Sequence, residues 1–236
     1  MNNFANTDIL ILCGGLGERL RPEIGENPKV MADINGRPFL SVILNHLIAQ
    51  GFKRVVLCTG YKADIVEGYY KKNPLGLDIR FSREDVPLGT GGGLKNAAGF
   101  VQSSPFFVLN GDSFCAADFG ALLKFHQSRR AVGSIVLSKV ENKGDFGTVS
   151  IAGDGKILAF REKVKEATSD AVNAGVYCFD KKILGLMPDK VKFSLEKEFF
   201  PQLIGSEFYG MVTGDNFVDI GTPERYHQAK EILKDR

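Results

Sequence analysis

Asp8-Ile9-Leu10-Ile11-Leu12-Cys13 runs straight into Gly14-Gly15-Leu16-Gly17-Glu18-Arg19-Leu20-Arg21, and the reading of this junction decides the fold. The first six residues form a short aliphatic run that reads as a strand. The glycines that follow let backbone N–H groups approach a phosphate closely, and Arg19 can neutralise its charge. Neither of the two commonest nucleotide loops is present. Leu20 stands where the dinucleotide fingerprint has its third glycine, and no Gly-Lys-Ser/Thr follows to make a P-loop. Taken alone, the glycine pattern suits a plain tight turn between strand and helix equally well.

Outward from this junction, short apolar runs alternate with helical patterns, the signature of βαβ units around a parallel sheet. Leu40, Ile43, Leu44, Leu47 and Ile48 recur at helical spacing and stop at Gly51, a helix terminator. Residues 54–59 read as the second strand, 63–70 as a short helix, 77–82 as an extended run, 89–93 as a second glycine-rich loop and 106–109 as a buried strand ending at Asn110-Gly111-Asp112. Ligands of open α/β sheets collect outside the carboxyl ends of strands, so two glycine loops and an aspartate there point to one crevice.

The runs 134–139, 147–151, 157–161 and 174–179 come with turn signals such as Gly153-Asp154-Gly155 and read as antiparallel strands added to that sheet. Thr222 and Pro223 suit the N-cap and first position of a final helix over 223–234. No linker or repeat divides the chain. The expected fold is α/β, a single-domain, Rossmann-like three-layer sandwich with a mixed, mostly parallel central sheet; residues 7–130 would form one half, with both glycine loops, and 131–236 the other.

The 236 residues carry 30 basic and 28 acidic side chains, scattered rather than clustered, so no nucleic-acid surface is expected. Cys13, Cys58, Cys115 and Cys178 show no metal-ligand spacing and read as reduced thiols in or near the core. No apolar run approaches a membrane span and no leader pattern is visible, so a cytoplasmic protein without a membrane partner is expected. Whether it forms a homo-oligomer is not readable from sequence.

Downstream of the first loop come Pro28-Lys29-Val30-Met31 and Gly36-Arg37-Pro38. Together with the loop they resemble the signature of the sugar nucleotidyltransferase family, Gly-Gly-x-Gly-[Ser/Thr]-Arg-Leu followed by Pro-Lys-x-Met and Gly-[Lys/Arg]-Pro. Pro87-Leu88-Gly89-Thr90-Gly91-Gly92 is similar to that family's second nucleotide loop, Asn110-Gly111-Asp112 to its metal-binding turn and Phe146-Gly147 to its substrate turn. Phe160-Arg161-Glu162-Lys163 resembles its sugar-phosphate motif, Asn173-Ala174-Gly175 its sugar-binding strand start, and Phe217-Val218-Asp219-Ile220-Gly221-Thr222-Pro223 its second metal site. Two departures are visible: Glu18 replaces a small hydroxyl residue, and Val164 stands where proline often follows the lysine.

The resemblance implies an enzyme that joins a sugar 1-phosphate to a nucleoside triphosphate and releases pyrophosphate. Several anions must then be held together, which explains a requirement for cations around them. By resemblance, Asp112 and Asp219 hold Mg²⁺, Arg19 faces the leaving pyrophosphate, Lys29 the α-phosphoryl group and Lys163 the phosphate of the sugar. Leu12, Gly14, Gly15, Gly17, Gly89 and Thr90 would bind the nucleotide, while Gly147, Glu162, Asn173, Gly175 and Glu196 would line the sugar.

Three residues before Pro87 stands Glu84, where the family places the side chain that reads the base; Asp85 is the neighbour if the register slips by one. A carboxylate only accepts hydrogen bonds, and guanine offers two adjacent donors, N1–H and the 2-amino group, so GTP is the expected triphosphate. Glu84 would otherwise be one charge in an exposed Arg83-Glu84-Asp85 run, and Glu196 an exposed helix charge. Within the family, similarity is greatest to the short bacterial D-glycero-α-D-manno-heptose 1-phosphate guanylyltransferases, with mannose 1-phosphate as the neighbouring substrate; the alternatives are a cytidylyl- or thymidylyltransferase for a hexose 1-phosphate and a non-catalytic nucleotide-sugar-binding subunit, against which Arg19, Lys29, Asp112, Lys163 and Asp219 are all present. His46, His126 and His227 have no carboxylate or serine partner at a suggestive spacing and are not expected to be catalytic.

Overall fold

A computed structural model describes residues 4–139, 148–161, 171–214 and 217–234. The expected βαβ alternation is present from β1 (Asp8–Leu12) onward. A one-turn α1 (Arg21–Ile24) and a two-strand hairpin, β2 (Asp33–Ile34) with β3 (Arg37–Pro38), lead into α2 (Phe39–Ala49). Helix α2 ends where the periodicity stops, and Gly51 follows at φ 94°, a left-handed conformation that a residue with a Cβ rarely adopts. Next come β4 (Arg54–Thr59), α3 (Ala63–Lys72) and β5 (Asp78–Arg83).

One expectation needs correction here. Residues 89–93 are not a loop but the start of α4 (Gly89–Asn96). Glycine is a poor helix former, and what holds it in this helix is tertiary contact. A Cβ on Gly91 would lie 2.2 Å from the Phe193 ring and one on Gly92 2.4 Å from the Val191 carbonyl oxygen. Only glycine lets the helix sit this close to the segment that covers it.

The chain continues through β6 (Phe106–Asn110), β7 (Ser113–Cys115), α5 (Phe119–Ser128), β8 (Gly133–Lys139), β9 (Thr148–Ile151) and β10 (Ile157–Arg161). It closes with β11 (Ala171–Phe179), β12 (Phe208–Thr213), β13 (Phe217–Asp219) and α6 (Pro223–Ile232), whose N-cap Thr222 accepts the Arg225 N–H. The main sheet has the order β10-β9-β11-β6-β1-β4-β5, with β8 also beside β11 and β12 beside β8. Strands β1, β4, β5, β6, β8, β9 and β12 run one way and β10 and β11 the other, so the sheet is mixed and mostly parallel. The four runs read as added strands, β8 to β11, pair antiparallel with one another, and β12, which the sequence did not announce, joins β8 in parallel.

Side chains alternate across this sheet as a strand of period two requires. Ile9, Ile11, Val55, Leu57, Phe107 and Leu109 pack into one core with α2, α3, α5 and α6. Leu10, Val56, Cys58, Phe106 and Val108 pack on the other face beneath α4 and the segment from Ile183 to Leu203. These are the two apolar seams of a three-layer sandwich. All four cysteines are free and buried in them. Among the described residues no helix is long and apolar enough to cross a membrane.

Candidate active site

The carboxyl ends of β1, β4 and β6 open together into a cavity of about 580 Å³. Its walls include Leu12, Gly14, Gly15, Gly17 and Arg19 from the first loop, Lys29 behind it, Glu84, Gly89 and Thr90 around the start of α4 with Glu196 bonded to Thr90, and Asp112. Eleven positions singled out in the sequence thus share one space, with Cys13, Cys58, Asn110 and Gly221 between them.

The first loop leaves β1 after the Cys13 N–H bonds the Cys58 carbonyl at 2.8 Å. Beyond that point the N–H groups of Gly14, Gly15, Leu16 and Gly17 donate to no acceptor among the described residues. Gly17 sits at φ 62°, and a Cβ there would lie 3.0 Å from the Cβ of Lys29. Arg19 is exposed on this loop and makes no ion pair among the described residues. Successive unpaired N–H groups and a free guanidinium make a place for polyanionic oxygen.

Lys29 is nearly buried, and its Nζ donates to Asp112 Oδ2 at 2.8 Å. Asp112 lies in a turn pinned to the end of β1: the Gly111 N–H bonds the Leu12 carbonyl at 2.9 Å, where a Cβ would meet that oxygen at 2.7 Å. The short ribbon of β13 against β7 sets Asp219 opposite Ser113, and the Ile220 N–H donates to the Asp112 carbonyl. Two aspartates from distant parts of the chain thereby become neighbours. Burial raises the pKa of Asp219, and the negative charge of Asp112 adds to the rise; Arg225, at 3.2 Å, and the Gly221 N–H oppose it.

Among the described residues no three metal-ligating side chains gather into a ready-made cage. Two carboxylates that repel each other beside a loop of open N–H groups do fit a hard divalent cation that takes one or two carboxylates and completes its shell with water and phosphate oxygen. Asp219 itself does not line the cavity, although Gly221 beside it does.

Glu84 is the most informative side chain in the wall. Its neighbours Arg83 and Asp85 are exposed, and Arg83 pairs with Asp64 at 2.7 Å rather than with Glu84. The Glu84 carboxylate turns inward and lies so close over two glycines that a Cβ would meet its Oε1 at 2.3 Å from Gly14 and at 2.6 Å from Gly60. Its one protein partner among the described residues is the Leu88 N–H at 3.4 Å. Burial raises its pKa, and that hydrogen bond opposes the shift only in part.

Glu196, on the short helical turn Leu195–Phe199, is not a free surface charge. It accepts from Thr90 Oγ1 at 2.7 Å and from Ser194 Oγ at 2.8 Å. Thr90 in turn accepts the Leu195 N–H, so the start of α4 and this turn are tied together. Asn173 and Gly175 stand behind the cavity rather than in its wall. The Asn173 amide donates to the Tyr177 hydroxyl, its oxygen accepts the Gly175 N–H, and Gly175, at φ 71°, leaves no room for a Cβ against Ser113 and Asn110. Gly147, Glu162 and Lys163 lie outside the described residues.

One residue against the site carries no sequence signal strong enough to find: Gly60, a lone glycine after a strand, which lies against Glu84. Asn110, from the Asn110-Gly111-Asp112 turn, lines the cavity, its Oδ1 buried and without a hydrogen-bond partner among the described residues. The histidines do have partners that spacing hid: His126 Nδ1 lies 3.0 Å from Ser134 Oγ and His227 3.3 Å from Glu23. Neither they nor His46 line the cavity.

A glycine loop, a cationic side chain and paired aspartates thus stand at the carboxyl edge of a three-layer sandwich, and residues 9–236 match the Nucleotidyl transferase family. The chain belongs to that family. It is 37% identical over 230 residues to a mannose-1-phosphate guanylyltransferase of Mycobacterium tuberculosis, covering 96% of this chain but 64% of that one. It is 36% identical over 228 residues to a D-glycero-α-D-manno-heptose 1-phosphate guanylyltransferase of Aneurinibacillus thermoaerophilus, covering 96% of this chain and 98% of that one. Among solved structures, HddC from Yersinia pseudotuberculosis superposes with a TM-score of 0.86 at 37% identity over 96% of this chain and 99% of its own, and the same protein is known complexed with GMP-PN.

Proposed function

We propose that this chain transfers the guanylyl group of GTP to D-glycero-α-D-manno-heptose 1-phosphate in the cytoplasm, with Mg²⁺ as cofactor. A phosphate oxygen of the sugar forms a bond to the α-phosphorus, the bond from that phosphorus to the bridging oxygen of the β-phosphate breaks, and pyrophosphate leaves. No side chain is needed as a nucleophile. Catalysis is positioning and charge stabilisation.

The single observation that carries the guanine reading is Glu84: a half-buried carboxylate with no cation beside it among the described residues, turned into the cavity between two glycines. Such a group costs stability unless a ligand supplies the missing donors, and N1–H with the 2-amino group of guanine supplies two side by side. The open N–H groups after β1 and Arg19 receive the β- and γ-phosphates, and Lys29 faces the α-phosphoryl group. Asp112 and Asp219 would hold the Mg²⁺, which when bound neutralises phosphate charge and orients its oxygens. Glu196, fixed by Thr90 and Ser194, accepts sugar hydroxyls. Glu162, Gly147 and Lys163 complete the sugar side in this proposal.

Heptose is favoured by the match to a heptose 1-phosphate enzyme along nearly its entire length. Mannose 1-phosphate is the second reading, supported by a relative of equal similarity. Pyrophosphate release from GTP, ATP, UTP, CTP and dTTP, each with heptose 1-phosphate and mannose 1-phosphate in parallel, tests both choices. Turnover is expected with GTP and the heptose phosphate; efficient use of a triphosphate other than GTP removes the guanine reading, and a preference for mannose 1-phosphate removes the heptose one.

A further inference from the structure

We propose that Gly60 is a specificity-determining residue for the base, acting through the seat it gives Glu84; the inference rests on the guanine reading above. Gly60 follows β4 directly and lies outside the first glycine loop. A Cβ built on it would meet Glu84 Oε1 at 2.6 Å, Glu84 Cγ at 2.8 Å and the Cα of Gly14 at 3.0 Å. The first two atoms belong to a side chain that can turn away. The third is backbone of the phosphate-facing loop and cannot yield without moving that loop.

A methyl group at this position therefore leaves Glu84 one exit, rotation out of its slot. The slot is what matters for recognition. Two donors on one edge of a planar base are accepted together only when both carboxylate oxygens lie in the plane of that edge. Gly14 and Gly60 press on the carboxylate from two elements, while Gly93, whose Cβ would sit an ordinary 3.6 Å from Oε2, bounds it from α4. With Arg83 drawn off to Asp64, no side-chain cation among the described residues holds Glu84 in place, and its orientation is set by this steric channel and the long Leu88 hydrogen bond.

The test compares GTP with ITP, which lacks the 2-amino group and so loses one donor of the pair. Wild-type enzyme is expected to prefer GTP in kcat/KM by about 10–100-fold, the worth of one hydrogen bond to a charged acceptor. Gly60→Ala should bring that ratio down to within about threefold of unity, with a rise in the KM for GTP accounting for the change. Glu84→Ala should collapse it in the same way, and Gly60→Ala added to Glu84→Ala should change the ratio no further, because the methyl group then meets only the Gly14 Cα, a contact that acts on GTP and ITP alike. The double variant also lacks the clashing carboxylate, so it reports even where the single Gly60→Ala protein folds poorly; melting curves identify that case.

A wild-type GTP to ITP ratio in Gly60→Ala, or an additional fall when the substitution is made on Glu84→Ala, overturns the role of Gly60 while leaving Glu84 as the base reader. Retention of the ratio in Glu84→Ala overturns the guanine reading itself and the Gly60 inference with it.

Discussion

Replacing Lys29 by Met separates a catalytic cation from a structural one. The side chain is 12% exposed, while its partner Asp112 is 50% exposed, at an Nζ to Oδ2 distance of 2.8 Å. An ion pair with one half in water is worth less than about 1 kcal/mol to folding, so the melting temperature should fall by no more than about 2–4 °C, as expected for a chain of this size. The effect on turnover should be far larger. A preorganised cation facing the α-phosphoryl group contributes to the transition state on the scale of other single electrostatic donors, about 10²–10³ in kcat, or roughly 3–4 kcal/mol. The predicted signature is a large kcat loss with near-normal stability. Pyrophosphate release at saturating GTP and sugar 1-phosphate, beside a thermal melt, measures both. A Lys29→Met enzyme within tenfold of wild-type kcat refutes the assignment, and a melting temperature lowered by more than about 10 °C would show that the pair is structural instead.

The other predictions follow from burial and packing. The KM for GTP should rise on acidification as Glu84 takes up a proton, and because burial raises its pKa above 4.5 the loss should begin at a higher pH than an exposed glutamate would give; in Glu84→Gln this step in the GTP pH profile should be missing. His126 is held neutral by burial, its pKa lowered from 6.5 to about 4. The unfolded chain therefore binds the extra proton first, and stability on the order of 3 kcal/mol should be lost as pH falls from about 6.5 through 4. Denaturant titrations of His126→Gln across that range should show a flatter profile, and parallel loss in both proteins counts against the idea. Gly91→Ala, whose methyl would lie 2.2 Å from the Phe193 ring, should cost about 1–3 kcal/mol. Gly15→Ala, with nothing within 4 Å, should leave the melting temperature unchanged.

Where the fold was legible, it was because burial and periodicity agreed. The run 54–59 is a central strand buried on both faces, so its apolar pattern and its ends coincide with β4. The apolar stripe of α2 and the Thr222-Pro223 start of α6 are local signals that tertiary structure left intact. The start of α4 was misread because glycine propensity says loop, while contact with Phe193 and Val191 makes glycine the only residue that fits the helix. Strand β13 has three residues and, among the described residues, pairs with β7, too short for any period to show. The site was legible to the extent that its groups sit in continuous motifs. Glu84 could be placed only by counting from Pro87, and the seat that turns it inward is supplied by Gly60, which no local pattern distinguishes from a plain turn residue.

The charges around the cavity suit the ligands proposed for it. Its wall carries Glu84, whose carboxylate finds one long hydrogen bond among the described residues, the open N–H groups after β1 with Arg19 and Lys29, and Glu196. A ligand that fits must present donors to the carboxylates and negative charge to the N–H groups and cations, and a guanine base, a run of phosphates and the hydroxyls of a sugar together would do so. Asp112 and Asp219 set negative charge against those phosphates, and among the described residues Lys29 and Arg225 offset them. Two phosphorylated substrates would add more negative charge than those two cations balance, and the two aspartates would hold a divalent ion that offsets the excess.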